Sequence, residues 1–190
     1  MTAEPAPQSD HDRIGVLVLG LGNVLLGDDG LGAAAVARLE RDYHLPPEVQ
    51  LEDGGTLGLS LLELLTRSDH VILVDAVQAD SPPGTLIRLD GDDVSDAVRD
   101  RLSPHQIGVA DLLDAARLID RYPRTVTLLG LVPELIDLAV CRSCAVDDKL
   151  DELITAVVRE VCSLGYTMVG QPQSQERHRP IHNLTRHFGM

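Results

Sequence analysis

The sequence predicts an α/β sandwich, a mostly parallel sheet covered by helices. Three observations carry that expectation. Short, continuously apolar runs of strand length alternate with segments of helical period. The strands are apolar throughout rather than at alternate positions, as in a sheet buried on both faces. At 190 residues the chain has room for one domain with a full core.

The elements follow in order. IGVLVLGL (Ile14 to Leu21) is the first buried strand. After the loop GNVLLGDDG, the segment Leu31 to Tyr43 places Leu31, Ala35, Leu39 and Tyr43 close to one stripe of a helix. Val49 to Glu52 reads as a short second strand, followed by a DGGT turn and a leucine-dense helix over about Leu59–Thr66. HVILVDA (His70 to Ala76) is the third strand. Only VQADSPP separates it from the next strand, GTLIRLD. A parallel connection needs about a dozen residues, so this fourth strand is expected to run antiparallel. TVTLLGL (Thr125 to Leu131) is the fifth strand, and helices are predicted over about His105–Asp120 and Asp147–Leu164. Residues 1–12 read as a flexible lead, 13–169 as a single domain, and 170–190 as a disordered tail, with a metal-binding or docking arm as the alternative for its three histidines and three arginines.

Composition narrows the function. With 30 acidic against 16 basic side chains the net charge is −14, which repels phosphate backbones and argues against nucleic acid as a partner. No signal peptide or membrane span is visible. Three cysteines, Cys141, Cys144 and Cys162, make no disulfide framework and suit a reducing compartment, so a cytoplasmic location is expected. One Phe, three Tyr and no Trp leave the core to aliphatic side chains.

In sheets of this kind functional groups gather at the carboxyl ends of the strands. The glycines after the first strand suggest a dinucleotide, but Gly20 and Gly22 are followed by Leu25 where a third glycine belongs. The single lysine, Lys149, is far from any P-loop position. Two aspartates in the loop would also oppose a phosphate. What this loop supplies is carboxylates. Asp28 and Asp29 stand before a helix, where one can cap it and leave the other for different work. Asp75 closes an apolar strand, a costly place for an unpartnered acid. His105 stands where a helix begins, in LSPHQIG. Together Asp29, Asp75 and His105 would make an N/O set suited to a divalent transition metal. The pair Cys141–Cys144 lacks the second pair a zinc site would want, and no nucleophile elbow is present. A hydrolase of this sequence would therefore use activated water.

The blocks GNVLLGDDGLG, DGGTLG, VDA, SPHQIGVADLL and LLGLVPE occur in an order and spacing that resemble the maturation endopeptidases of [NiFe]-hydrogenases, along about residues 14–165. The resemblance implies a three-layer α/β sandwich: a five-stranded, mostly parallel twisted sheet with one antiparallel strand and helices on both faces. It implies an endopeptidase that removes the C-terminal extension of the hydrogenase large-subunit precursor once nickel has been inserted. Asp29, Asp75 and His105 then match the family's metal-contacting positions. The metal is nickel brought by the substrate, used as the recognition signal, and no permanent cofactor is expected. This chain has Asp where the family varies between Glu and Asp at the first position. Asp53, with Gly54 and Gly55, matches a block associated with substrate handling, although Asp53 can equally serve to start the turn. A non-catalytic chaperone that checks the metal of the same precursor would use the same ligands and is the alternative.

Overall fold

The computed structural model describes residues 13–94 and 104–172, with the backbone alone at 104–107. The predicted lead and the tail beyond Pro172 lie outside the described residues. The chain runs β1 (Ile14–Leu21), α1 (Leu31–Asp42), β2 (Tyr43–His44), β3 (Val49–Gly55), α2 (Leu62–Thr66), β4 (Ser68–Ala76), β5 (Leu86–Asp90), α3 (Pro104–Leu118), β6 (Thr125–Leu131), α4 (Cys144–Asp147), α5 (Leu150–Ser163) and β7 (Val169–Gly170). Single 3-10 turns at Gly27–Gly30 and Gly58–Leu61 precede α1 and α2.

Five strands form the main sheet in the order β3-β1-β4-β6-β5. The first four are parallel, and β5 runs antiparallel to β6, with Leu86 opposite Leu131 and Asp90 opposite Thr127. The short link between the third and fourth predicted strands thus gives the reversed strand it foretells.

Alternation along the strands builds two cores. Val16, Val18, Ile72 and Val74 point to one face, under Leu31, Ala35 and Leu39 of α1 and Leu153 and Val157 of α5. Leu17, Leu19, Val71 and Leu73 point to the other, under Leu65 of α2 and Leu112, Leu113 and Ala116 of α3. Each fully buried leucine contributes about 1.5–3 kcal/mol relative to exposure, so both faces must be covered at once. This is the three-layer sandwich.

The predicted stripe on α1 stops one residue early. Tyr43 leaves the helix and pairs with Gly170 in a two-stranded antiparallel ribbon, and Gln171 donates from its N–H to the Asp42 carbonyl at 2.7 Å. Among the described residues no helix is long and apolar enough to cross a membrane.

Two features of this topology place the site. The connection leaving β1 leads by α1 to β3 on one side, whereas those leaving β4 lead to β5 and β6 on the other. The sheet therefore has its switch point between β1 and β4, where a crevice opens beyond the carboxyl ends. In addition, a Cβ at Gly32 would sit 2.2 Å from the Leu21 carbonyl oxygen and 2.6 Å from that of Val74. Only glycine lets α1 begin directly on the ends of β1 and β4.

Candidate active site at the sheet switch point

The loop from β1 turns at Gly22, whose φ of 110° and close approach to the Asp29 backbone exclude any side chain; a Cβ there would lie 1.8 Å from the Asp29 carbonyl oxygen. Asp28 and Asp29 both fall within the 3-10 turn Gly27–Gly30, which packs against β4. Each is only 1% exposed. Neither caps the turn or α1 through its side chain, so capping is not what these acids do.

Asp29 folds back on its own loop, its Oδ2 accepting from the Asn23 N–H at 2.8 Å. Asp75, the penultimate residue of β4 and 4% exposed, accepts from the Ala76 N–H at 2.8 Å through Oδ1. Two buried carboxylates thus stand on neighbouring connections at the switch point, each with an oxygen held by a backbone N–H. His105 is the second residue of α3, and its side chain lies outside those described. The first turns of α3 reach the same edge because Gly108 packs backbone to backbone on Gly58; a Cβ at Gly108 would lie 3.1 Å from the Gly58 Cα. Among the described side chains no three His, Cys, Asp or Glu residues are grouped to hold a metal.

Asp53 lies on β3 opposite Gly20 of β1, so it shares the carboxyl edge. It is exposed, and its Oδ1 accepts from the Gly55 N–H at 3.2 Å, the turn-forming contact expected of it. Gly54 is buried against Leu19 and Leu61, and Gly55 takes φ 47°. On the opposite flank a cleft of about 430 Å³ lies between Gln78–Ala79 after β4 and Val132–Glu134 after β6.

The role that sequence reasoning missed is that of Asp28, singled out only as one of two loop acids able to cap a helix. Its Oδ2 accepts from the N–H groups of Glu134 at 2.8 Å and Leu135 at 2.9 Å and from the Ser143 hydroxyl at 2.9 Å. Its Oδ1 accepts from the Ser143 N–H at 2.6 Å. Burial alone would raise its pKa, but the donors at Leu135, Ser143 and Glu134 outweigh that and hold the carboxyl below its ordinary value. The link is reinforced by main-chain bonds, Asp28 N–H to the Leu135 carbonyl and Gly27 N–H to that of Ala139, and by a bridge between Leu26 and Ala139. No local signal could have announced a contact spanning 115 residues. Cys141 and Cys144, in the same segment, are exposed free thiols.

The chain resembles known proteins over most of its length. Residues 33–160 match the family model described as hydrogenase maturation protease. The hydrogenase 2 maturation protease of Escherichia coli K12 is 38% identical over 149 residues, covering 76% of this chain and 91% of that one. The hydrogenase expression/formation protein HupD of Rhodobacter capsulatus is 40% identical over 152 residues, 79% of this chain and 72% of its own. Among solved structures, the hydrogenase maturating endopeptidase HybD of E. coli superimposes with a TM-score of 0.82 at 33% identity, over 85% of this chain and all of that one. Two of these relatives are named as a protease and an endopeptidase, and the non-catalytic alternative gives way to them. With its fold, its blocks and its relatives in agreement, the chain belongs to the hydrogenase maturation protease family and is an endopeptidase.

Proposed function

We propose that this endopeptidase removes the C-terminal extension from a nickel-loaded [NiFe]-hydrogenase large-subunit precursor, and that Asp29, Asp75 and His105 contact the precursor's nickel. The observation that carries this reading is the pair of buried carboxylates, Asp29 and Asp75, at the switch point of the sheet. Carboxylates placed at the carboxyl ends of parallel strands stand where sheets of this kind bind their ligands, and a divalent ion arriving with the substrate would meet both. Oxygen ligands from Asp and a nitrogen from His suit such an ion.

In this reading the nickel is part of the substrate. Its capture fixes the precursor chain across the sheet edge and so places one peptide bond beside the carboxylates. Hydrolysis then requires a water that loses a proton as its oxygen adds to the carbonyl carbon. The proton passes to the amide nitrogen as the C–N bond breaks. Asp29 or Asp75 serves as the base, and the exposed Asp53 with Gly54 and Gly55 borders the path of the bound chain. A cytoplasmic location accords with three exposed free thiols, which persist in a reducing compartment.

The test is cleavage of nickel-loaded and nickel-free precursor by the wild type, Asp29→Asn, Asp75→Asn and His105→Ala. Cutting of the loaded form alone, lost in all three variants, supports the reading. Equal cutting of both forms would remove nickel as the signal.

A further inference from the structure

Four hydrogen bonds to one buried carboxylate hold out a segment rich in exposed apolar side chains. The segment they anchor exposes Leu135, Ile136, Leu138 and Val140, and Leu138 and Val140 are 81% and 93% exposed. Val24 and Leu25, also exposed, stand on the loop bridged to it through Leu26 and Ala139. The six side chains therefore form one rim on two segments that Asp28 and the main-chain bonds tie together. The exposed acids Glu134 and Asp137 interrupt the row, and exposed apolar side chains gathered on adjoining segments in this way mark an interaction site. It is continuous with the candidate site, since Asp29 follows Asp28 in the same turn and Gly22 and Asn23 lie between Val24 and β1.

We infer that this rim docks the precursor, and that Asp28 is a positioning residue that holds the rim in shape. The inference rests on the reading of the previous section. The occupant is an apolar stretch of the precursor chain beside the bond to be cut. An endopeptidase must hold a macromolecule, and three small side chains at a metal offer little area for that. Interfaces draw their affinity from a desolvated apolar centre, and the rim supplies one next to the proposed chemistry. Asp28 reaches no substrate itself. It acts by fixing Glu134, Leu135 and Ser143, and hence the apolar residues among and beside them.

The chemistry of Asp28 grades its variants. Asp28→Asn can keep its oxygen toward Glu134, Leu135 and the Ser143 hydroxyl but turns an NH2 toward the Ser143 N–H, whereas Asp28→Ala loses all four bonds. Cleavage kinetics on nickel-loaded precursor test the inference with these two variants and the exposed double variant Leu138→Ser/Val140→Ser, which leaves the core untouched. The double variant is expected to raise KM about tenfold with kcat within twofold of wild type, the signature of lost binding shared by ground and transition states. Asp28→Asn is expected to raise KM less than Asp28→Ala. Adding the serines to Asp28→Ala should raise KM by much less than the tenfold they cause alone, because the rim is already displaced.

A double variant with wild-type KM overturns the docking surface. An Asp28→Ala protein that lowers kcat or thermal stability but leaves KM alone overturns the positioning role and leaves a structural one. Sedimentation that finds a wild-type dimer, dissociated by the serines, would give the rim to a second copy of the chain. A wild type that cuts no precursor at all would instead bring down the reading of the previous section, and this one with it.

Discussion

The two ends of the sheet treat their acidic residues in opposite ways. At the amino ends of the strands the acids lie toward solvent and face arginines. Asp69, the second residue of β4, pairs with Arg13 ahead of β1 and stands 3.7 Å from Arg124 ahead of β6. Glu63 faces Arg67 at 3.6 Å. At the carboxyl ends Asp28, Asp29 and Asp75 are buried and accept from backbone N–H groups, with a hydroxyl added at Asp28, while Asp53 is exposed. Near them Val24, Leu25, Leu57 and Leu138 are exposed. One end is internally balanced at small energetic gain, as exposed ion pairs are. The other holds three carboxylates away from water beside the proposed chemistry.

The sharpest way to break this contrast is to neutralise one acid at each end. Asp75→Asn keeps the side chain's shape and is expected to reduce cleavage about 10²-fold or more, the range for losing a group that acts on the reacting atoms. Asp69→Asn should leave the cleavage rate within about twofold, since surface pairs carry about 1 kcal/mol or less. Equal losses at both ends, in the same precursor assay, would erase the distinction.

Gly22→Ala probes the loop that presents Asp29. The left-handed φ and the clash with the Asp29 carbonyl oxygen should cost about 1–3 kcal/mol or more, read as a lowered urea midpoint together with loss of cleavage. A variant with wild-type midpoint would show that the turn can be made another way. For Asp69→Asn the corresponding midpoint shift should correspond to about 1 kcal/mol or less and shrink further in high salt.

The smallest effect concerns Asp42 at the end of α1, whose pKa is brought down to about 2 by hydrogen bonds from Arg41 and Arg38. Arg38 is shared with Asp151 at 2.9 Å. Because the folded pKa lies below the unfolded one, this contribution is complete above the ordinary carboxylate value and is lost as pH falls from about 4 toward about 2. Solvent screens it, so only a modest part of the acid transition belongs to it. Comparing acid unfolding of wild type and Asp42→Asn isolates that part, and identical curves would deny the pair any role.

Much of this architecture was legible because buried strands have a simple signature. The runs at Ile14–Leu21 and Thr125–Leu131 are apolar throughout and lie where the sequence put them. The antiparallel β5 followed from the shortness of the VQADSPP link. The second strand was read too short, because Asp53 and Gly54 look like turn residues, yet β3 continues through them beside β1. The Leu59–Thr66 segment divides into a 3-10 turn and a short helix, which leucine spacing cannot distinguish. Of the site, the acids were visible as oddities in apolar surroundings. The division of work between Asp28 and Asp29 was not, since it depends on which neighbour the far segment at 134–143 meets.

That last contact also says something about when the protein becomes competent. Asp28 and its donor Ser143 are separated by 115 residues, with four of the five main-sheet strands encoded between them and the fifth just before. Closing so long a loop pays its entropy before any bond rewards it. During synthesis the carboxylate of Asp28 is made early, while its partners are made late. The apolar rim is therefore assembled only after all five strands of the main sheet have been made, and shorter products carry the acids of the site without the surface that brings a substrate to them.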